Sequence, residues 1–315
     1  MSKVICLGIL VADLIAKPVT HFPAKGKLIS VDKMELHTGG CATNTAIALA
    51  RLGEDVGVIG LIGEDGLGSF VSNQLKSENV NIDGLKSTTK VGTSTSIVLS
   101  DLDGERSFLY YSGANGIFIE EDINFTPIEN CKFLFIAGSL LLPALDGLPT
   151  ARLLQKAQNI GKYTILDTAW DPTGRWMNVI GPCLPHLDLF IPSLEEAQML
   201  TGKNTVEEMA KIFLDAGTKN VVIKCGSKGC FIKNEQEEHY LPAFKVHAVD
   251  TNGAGDSFVA GFITGLIHNW DLRRCGQFAN AVGAHCVMAV GASSGIKNID
   301  EIISFIEDRR PQNEP

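Results

Sequence analysis

The chain has 315 residues, with 27 Lys and Arg against 36 Asp and Glu, a formal net charge of −9 with His neutral. Hydrophobic residues make up 45% and charged residues 20%, the balance of a globular protein with enough chain for one large core or two modest ones, so disordered and collagen-like classes are excluded. The acidic balance argues against a general nucleic-acid binder, because neutralising phosphate needs a basic face.

The opening VICLGILVADLIA is apolar but interrupted by Asp13 and followed by no small-residue cleavage site, so it reads as a buried strand entering a loop rather than as a leader. FLFIAGSLLLPAL, from Phe133, is broken by Gly138, Ser139 and Pro143 and is too short to span a bilayer. The expectation is a cytoplasmic protein with no membrane partner. Apolar runs at 4–10, 56–62, 133–137, 163–167, 187–192 and 221–224 predict buried strands. Segments of helical period lie between them at 43–52, 69–77, 146–160, 193–200 and 206–216, then as two or three helices over 256–290 and a last one over 299–307. This alternation predicts an α/β fold with a mostly parallel sheet flanked by helices.

Two stretches break the rhythm. Residues 12–38 and 90–112 show short period-two alternation, with Thr95, Ile97 and Leu99, then Phe108 and Tyr110, and turn residues Asp103-Gly104 between them. They are expected to pair into a small accessory sheet. With no repeat or linker visible, the predicted organisation is one domain over 1–308 with this β insertion, followed by an unstructured tail at 309–315. The eight cysteines contain no CxxC pair and are expected to be reduced and mostly buried.

Chemistry concentrates in two glycine-rich elements. Asp250-Thr251-Asn252-Gly253-Ala254-Gly255-Asp256 precedes an apolar helical run. Glycines at a helix start let successive N–H groups converge with the helix dipole into an anion hole, and Asp256 beside it could take a proton from an attacking hydroxyl. A capped helix after an ordinary turn fits the same spacing, and the residues alone leave both readings open. His37-Thr38-Gly39-Gly40-Cys41-Ala42-Thr43-Asn44 is the second element, where the glycines would allow close approach of a ligand and Asn44 offers both a donor and an acceptor. By itself it reads equally as a turn and a capped core helix.

Taken together, and in this order, the two elements resemble the signatures of the ribokinase-like, or PfkB, family of carbohydrate and nucleoside kinases. Gly39-Gly40-x-x-x-Asn44 running into Ala50-Arg51-Leu52-Gly53 is similar to the first, and Asp250-Thr251-x-Gly253-Ala254-Gly255-Asp256 to the second. Gly60-x-x-Gly63-x-Asp65-x-x-Gly68, Gly104-Glu105-Arg106 and Pro192-Ser193-Leu194-Glu195-Glu196 agree with the family, so the resemblance spans essentially the whole chain.

The resemblance implies a ribokinase-like fold whose small sheet is a lid, and ATP-dependent phosphorylation of a small sugar or sugar acid. It makes Asp256 the general base and the amides of Gly253, Ala254 and Gly255 the anion hole. Asp13, Gly39, Gly40 and Asn44 would hold the acceptor, with Arg106 reaching a carboxylate or hydroxyl from the lid edge. Ser193, Lys224, Gly226, Gly229 and Asn280 would lie on the ATP side. Glu196 would act near Mg²⁺ through water, and Asp250, Asn252, Gly291 and Ser294 would surround K⁺ or a similar cation. A homodimer built through the lid is also implied. Two departures stand out: Ser193 occupies the place of an amide in the family's Asn-x-x-Glu motif, and Lys224 that of a hydroxyl residue before Gly226.

Gly291-Ala292-Ser293-Ser294-Gly295 matches a hydrolase nucleophile elbow, but no strand is predicted before it and no histidine follows Ser293. A nucleoside kinase of the same family and a non-catalytic sugar-binding protein are the remaining alternatives. A carboxylate retained at position 256 favours catalysis over binding alone.

Overall fold

Successive side chains of the first strand, β1 (Val4–Gly8), enter different cores: Val4 and Cys6 join one, Ile5 and Leu7 the other. A strand buried on both faces is the mark of a parallel sheet covered by helices, and explains why its sequence is apolar without alternation. The computed structural model describes residues 2–101 and 106–309. Its other strands are β2 (Val11–Lys17), β3 (Lys33–Gly39), β4 (Val56–Gly63), β5 (Asn81–Thr88), β6 (Thr95–Ser100), β7 (Arg106–Tyr111), β8 (Phe133–Ser139), β9 (Tyr163–Thr168), β10 (Leu189–Phe190), β11 (Asn220–Lys224), β12 (Cys230–Lys233) and β13 (Glu238–Leu241).

Nine strands form the large sheet in the order β13-β12-β11-β10-β9-β8-β1-β4-β5. Pairing is parallel from β5 to β11 and antiparallel from β11 through β13. Helices Cys41–Arg51, Ala254–Ile267, Leu272–Val287 and Ile299–Glu307 cover one face, and Leu148–Asn159, Leu194–Thr201 and Val206–Asp215 the other. The chain leaves β1 outward to β4 and β5, then returns to β8 on β1's opposite side. A crevice opens beyond the carboxyl ends of strands where the order reverses in this way, and here it lies between β1 and β8.

The predicted accessory sheet exists as four strands in the order β3-β2-β6-β7. Period two sorts its residues. Asp13 lies across from His37 and Ser96, and Ser96 from Tyr110, whereas Leu14 lies across from Leu36 and Ile97, and Ile97 from Leu109, on the other face. Two latches join this sheet to the large one. Buried Asn115 pairs with both backbone groups of Leu10, donating from Nδ2 to its carbonyl at 3.1 Å and accepting its amide at 3.2 Å. Asp65 accepts from Gly68 N, Thr93 N and Thr93 Oγ1 at 2.8, 2.8 and 2.7 Å, while Thr93 Oγ1 accepts from Gly63 N. The Gly63-x-Asp65-x-x-Gly68 motif is therefore a clamp on the chain entering β6.

Several expectations needed adjustment. β5 and β13 lie at the sheet's edges, where half-exposed strands carry polar residues such as Asn81, Asp83 and Glu238 that hide them in an apolarity scan, and β12 is a four-residue, mostly buried strand next in from β13. The 187–192 run contains a strand of only two residues, β10. Two helices rather than three fill 256–290; Gly261 and Gly265 let them touch, since a Cβ at Gly261 would come within 2.9 Å of the Ala279 backbone. Residues 102–105, including the expected Asp103-Gly104 turn and Glu105, lie outside the described residues, as do the Arg106 side chain and 310–315 of the expected tail. All eight cysteines are free, and among the described residues no helix is long and apolar enough to cross a membrane.

Asp65→Ala strips the buried Thr93 amide and hydroxyl of their acceptor. Stability should fall by about 1–3 kcal/mol, the range for a buried polar group left unpaired. A denaturant midpoint equal to that of wild type would contradict the clamp.

Candidate active site

The Ala254–Ile267 helix starts from Gly253 in the left-handed region at φ 72°, where a Cβ would also fall 2.2 Å from the Ala292 carbonyl oxygen. Only glycine meets both demands. The Ala254 amide closes a turn onto the Thr251 carbonyl at 3.3 Å, whereas the amides of Gly253, Gly255 and Asp256 donate to no protein group among the described residues. Unsatisfied amides at the positive end of a 14-residue helix make an anion site. Of the expected trio, the Gly253 and Gly255 amides are without a protein acceptor among the described residues, as is the Asp256 amide, while Ala254 N makes a 3.3 Å turn contact with the Thr251 carbonyl.

Asp256 is held from the opposite signature. Asn44 Nδ2 donates to Asp256 Oδ2 at 2.8 Å, and Thr45 Oγ1 donates to the Asp256 carbonyl at 3.4 Å. The Cys41 thiol also acts on this carboxylate and lowers it, while the charge of Asp256 raises the thiol. Burial raises the Asp256 carboxyl above its ordinary range, against the Asn44 hydrogen bond and the Lys224 ammonium, which lower it.

Asp13 comes in from the small sheet. A Cβ on Gly39 would lie 2.0 Å from its Oδ2, so that glycine makes room for the carboxylate, and Gly40, at φ 87°, turns the chain into the Cys41–Arg51 helix. Burial pushes the Asp13 carboxyl up to about 6, a hydrogen bond with Ser96 opposes this, and the charge of Asp256 adds to it. His37 shares Asp13's face, and its buried Nε2 has no hydrogen-bond partner among the described residues, with Glu35 Oε2 at 3.9 Å. The sequence reading had not singled it out.

On the other flank, Lys224 Nζ lies 2.5 Å from Asp167 Oδ2 and is the atom nearest to where a Gly255 Cβ would stand, at 3.8 Å. Burial pushes Asp167 up to about 7, with the ammonium working against it. For Lys224, burial disfavours the charge, but Asp167, Glu196 and Asp256 outweigh it and hold the amine above its usual range. Asp167 is a site residue missed in the sequence. Its signal was a carboxylate at the carboxyl end of an apolar strand, a position that faces the crevice in an open parallel sheet.

Ser193 and Glu196 form a reciprocal cap: Ser193 Oγ accepts from Glu196 N at 3.3 Å and Glu196 Oε2 accepts from Ser193 N at 2.9 Å. The Ser193 hydroxyl oxygen, expected on the ATP side, thus caps the helix as an acceptor. Glu196 Oε2 also takes the Thr168 hydroxyl at 3.0 Å, so the carboxylate is fixed in orientation. Asn280 likewise spends its amide on the Leu241 and Pro242 carbonyls, each at 3.2 Å, and shapes the chain after β13. Gly229 meets that chain closely, since a Cβ there would stand 1.9 Å from the Leu241 oxygen, whereas one on exposed Gly226 would meet nothing within 4 Å.

The carboxylate of Asp250 accepts from Asn252 N at 2.9 Å and Gly291 N at 3.0 Å. The Cys286 thiol bridges the Asn252 and Ala292 carbonyls, and Arg51 Nη1 donates to the Ser293 carbonyl at 2.6 Å while its Nε and Nη2 grip Glu78. Arg51 therefore ties the first signature to the 291–294 loop that backs Gly253. Ser294 Oγ stands 3.0 Å from a Cβ position on Gly291.

Comparison with known proteins covers nearly the whole chain. The sequence matches the pfkB family carbohydrate kinase profile over residues 1–299. It is 28% identical over 306 residues to a ribokinase of Haemophilus influenzae, covering 96% of this chain and 97% of that one. It is 28% identical over 297 residues to a 2-dehydro-3-deoxygluconokinase of Bacillus subtilis, covering 90% and 91%. The ribokinase structure from Thermotoga maritima superposes with a TM-score of 0.85 at 25% identity, over 98% of this chain and 100% of that one. The chain belongs to the pfkB family of carbohydrate kinases. It is accordingly a phosphotransferase with an alcohol group as acceptor, of a family that uses ATP.

Because burial opposes ionisation of Asp256, kcat/KM should rise with pH through a midpoint above the ordinary carboxylate range of about 3.9–4.3. Activity that stays level down to about pH 4.5 in an initial-rate profile would contradict this.

Proposed function

We propose that the protein transfers the γ-phosphoryl group of ATP to a hydroxyl of a small free sugar or sugar acid, with Asp256 as the general base. The observation that carries this reading is one buried carboxylate, oriented by Asn44, in the first turn of a helix whose leading amides have no protein acceptor among the described residues. The acceptor hydroxyl sits between Asp256 and Asp13. Its proton passes to Asp256 as its oxygen attacks phosphorus, and the amides of Gly253, Gly255 and Asp256 hold the transferring oxygens. Asp13, Asn44 and the backbone at Gly39 and Gly40 orient the remaining hydroxyls. Gly226 admits the nucleotide to the backbone at the end of β11, with Gly229 and Asn280 fixing the surrounding chain.

The donor set near Glu196 suits Mg²⁺, since one oxygen is oriented by Ser193 N and Thr168 Oγ1 while Oε1 accepts from no protein group among the described residues. When bound there through water, the ion supplies positive charge against the phosphates. Asp250, which accepts from Asn252 N and Gly291 N, is the carboxylate a monovalent cation would meet beside the 291–294 loop, and a cation there would stiffen the wall behind Gly253.

The small sheet acts as a lid, carrying Asp13 over the acceptor and excluding water. Its opposite face exposes Met34, Leu36, Ile97 and Leu109, a patch that a second copy of the chain covers in a lid-to-lid dimer. A free acceptor is favoured over a phosphorylated one because Cys41, Ala42 and Thr43, between Gly40 and Asn44, bring no cation. A nucleoside is disfavoured because the Tyr110 hydroxyl accepts from Asn115 Nδ2, which ties the ring to the latch between the sheets rather than leaving it to stack on a base.

Asp256→Asn should keep ATP binding and lower kcat by roughly two to four orders of magnitude, the range for loss of a general base. Near-normal turnover would sink the assignment. In a panel of free sugars, sugar acids, nucleosides and hexose phosphates, the highest kcat/KM should fall in the first two groups. At constant ionic strength, replacing Na⁺ by K⁺ should raise kcat. A flat response after removal of residual cation would count against the monovalent site.

A further inference from the structure

A buried ion pair is seldom a net source of stability, because desolvating both charges offsets their attraction. The Lys224–Asp167 pair is such a case, with side chains 12% and 2% exposed. It stands at the carboxyl ends of β11 and β9, where the ammonium leans toward Gly255 and the unsatisfied amides. Three carboxylates, Asp167, Glu196 and Asp256, act on this one amine, and it is the cation that the Asp256 carboxyl feels most. Core cohesion does not require a lysine here, since the neighbouring β11 residues Val221, Val222 and Ile223 are fully buried and apolar.

We propose that Lys224 is a catalytic residue that contacts the transferring phosphoryl group, and that Asp167 is a positioning residue that parks its ammonium beside the anion hole until ATP arrives. This rests on the kinase reading and deepens it. In the transfer, the bond from phosphorus to the β–γ bridging oxygen breaks and its electron pair leaves with ADP. A bond from phosphorus to the acceptor oxygen forms, and the acceptor proton goes to Asp256. Charge spreads over the three equatorial oxygens on the way. The amides of Gly253, Gly255 and Asp256 face that charge from the helix, and the Lys224 ammonium faces it from β11, close enough to exchange its Asp167 contact for a phosphoryl oxygen. With Asp167 pairing the amine before ATP binds, Lys224 does not instead form an ion pair with Asp256, which would draw the base away from the acceptor. The lysine at the place where the family resemblance led one to expect a hydroxyl thus acquires a function of its own.

The test separates a catalytic lysine from a structural pair. Lys224→Met, Asp167→Asn and the double variant are compared with wild type in full-length protein, by thermal unfolding, by calorimetric binding of ATP and of ADP, and by kcat and KM with an acceptor that the wild type turns over. Lys224→Met should lower kcat by about 10²–10³-fold, the cost of removing one donor to a transition-state oxyanion, and should weaken ATP binding more than ADP binding. Asp167→Asn should lower kcat by roughly tenfold with acceptor KM little changed, since the amine is present but no longer held. The double variant removes both charges and should recover the melting temperature that either single change costs, yet remain as slow as Lys224→Met. A double variant that regains both its melting temperature and kcat within about threefold of wild type would overturn the proposal, leaving the pair as mutual neutralisation. Equal losses for ATP and ADP in Lys224→Met would overturn it too. The binding arm needs no acceptor: a greater loss for ATP than for ADP in Lys224→Met upholds the γ-phosphoryl contact whatever the panel holds, and a wild type that binds ATP but phosphorylates nothing in the panel would overturn only the proposed acceptor class.

Discussion

The 2.8 Å hydrogen bond from Asn44 to Asp256 joins two glycine-rich segments that are 212 residues apart, and the site is organised around it. It orients the carboxylate by one oxygen, stabilises its charged form against burial, and brings the start of the Cys41–Arg51 helix against the start of the Ala254–Ile267 helix. As the proposed general base, Asp256 needs a balance. Too little desolvation leaves it weak, and too much leaves it protonated. Burial supplies the upward push, while Asn44 and Lys224 supply the restraint.

Around that bond, the glycines divide into two kinds. Gly253 and Gly40 set left-handed turns that aim helix starts at the crevice, whereas Gly39 and Gly68 are small because something must pass. At Gly39 it is the Asp13 carboxylate, and at Gly68 the Gly63 carbonyl. Motifs that look alike in sequence therefore serve different ends: one presents chemistry to a ligand, and another clamps the small sheet onto the large one through Asp65 and Thr93.

Polar groups at the site differ in how far the fold engages them, and the difference helps to sort structural from chemical roles. Ser193, Asn280 and Arg51 spend their donors or acceptors on the fold, capping a helix, pinning the 241–242 backbone and holding the 291–294 loop. The amides of Gly253, Gly255 and Asp256 spend nothing on it. Buried or crevice-facing polar groups without a protein partner cost stability, so a fold retains them where a ligand completes them.

By itself, the sequence determined the α/β class, the two-face burial of β1, β4 and β8, the small accessory sheet, and both glycine signatures with Asp13, Asn44 and Asp256. These are local or periodic properties: a residue buried on both sides must be apolar, and a chain that turns with positive φ at a helix start must be glycine whatever surrounds it. Tertiary structure alone decided the rest. The edge strands β5 and β13 are polar enough to pass for loops until a neighbour supplies their hydrogen bonds. Lys224 and Asp167 are 57 residues apart, and only the placement of β10 between β9 and β11 sets their side chains within reach of each other and of Gly255. Which of the helix amides remain free, and that Ser193 and Asn280 are already engaged, follow from distances that no spacing in the chain encodes, because a hydrogen bond is satisfied by whichever partner folding brings within about 3 Å.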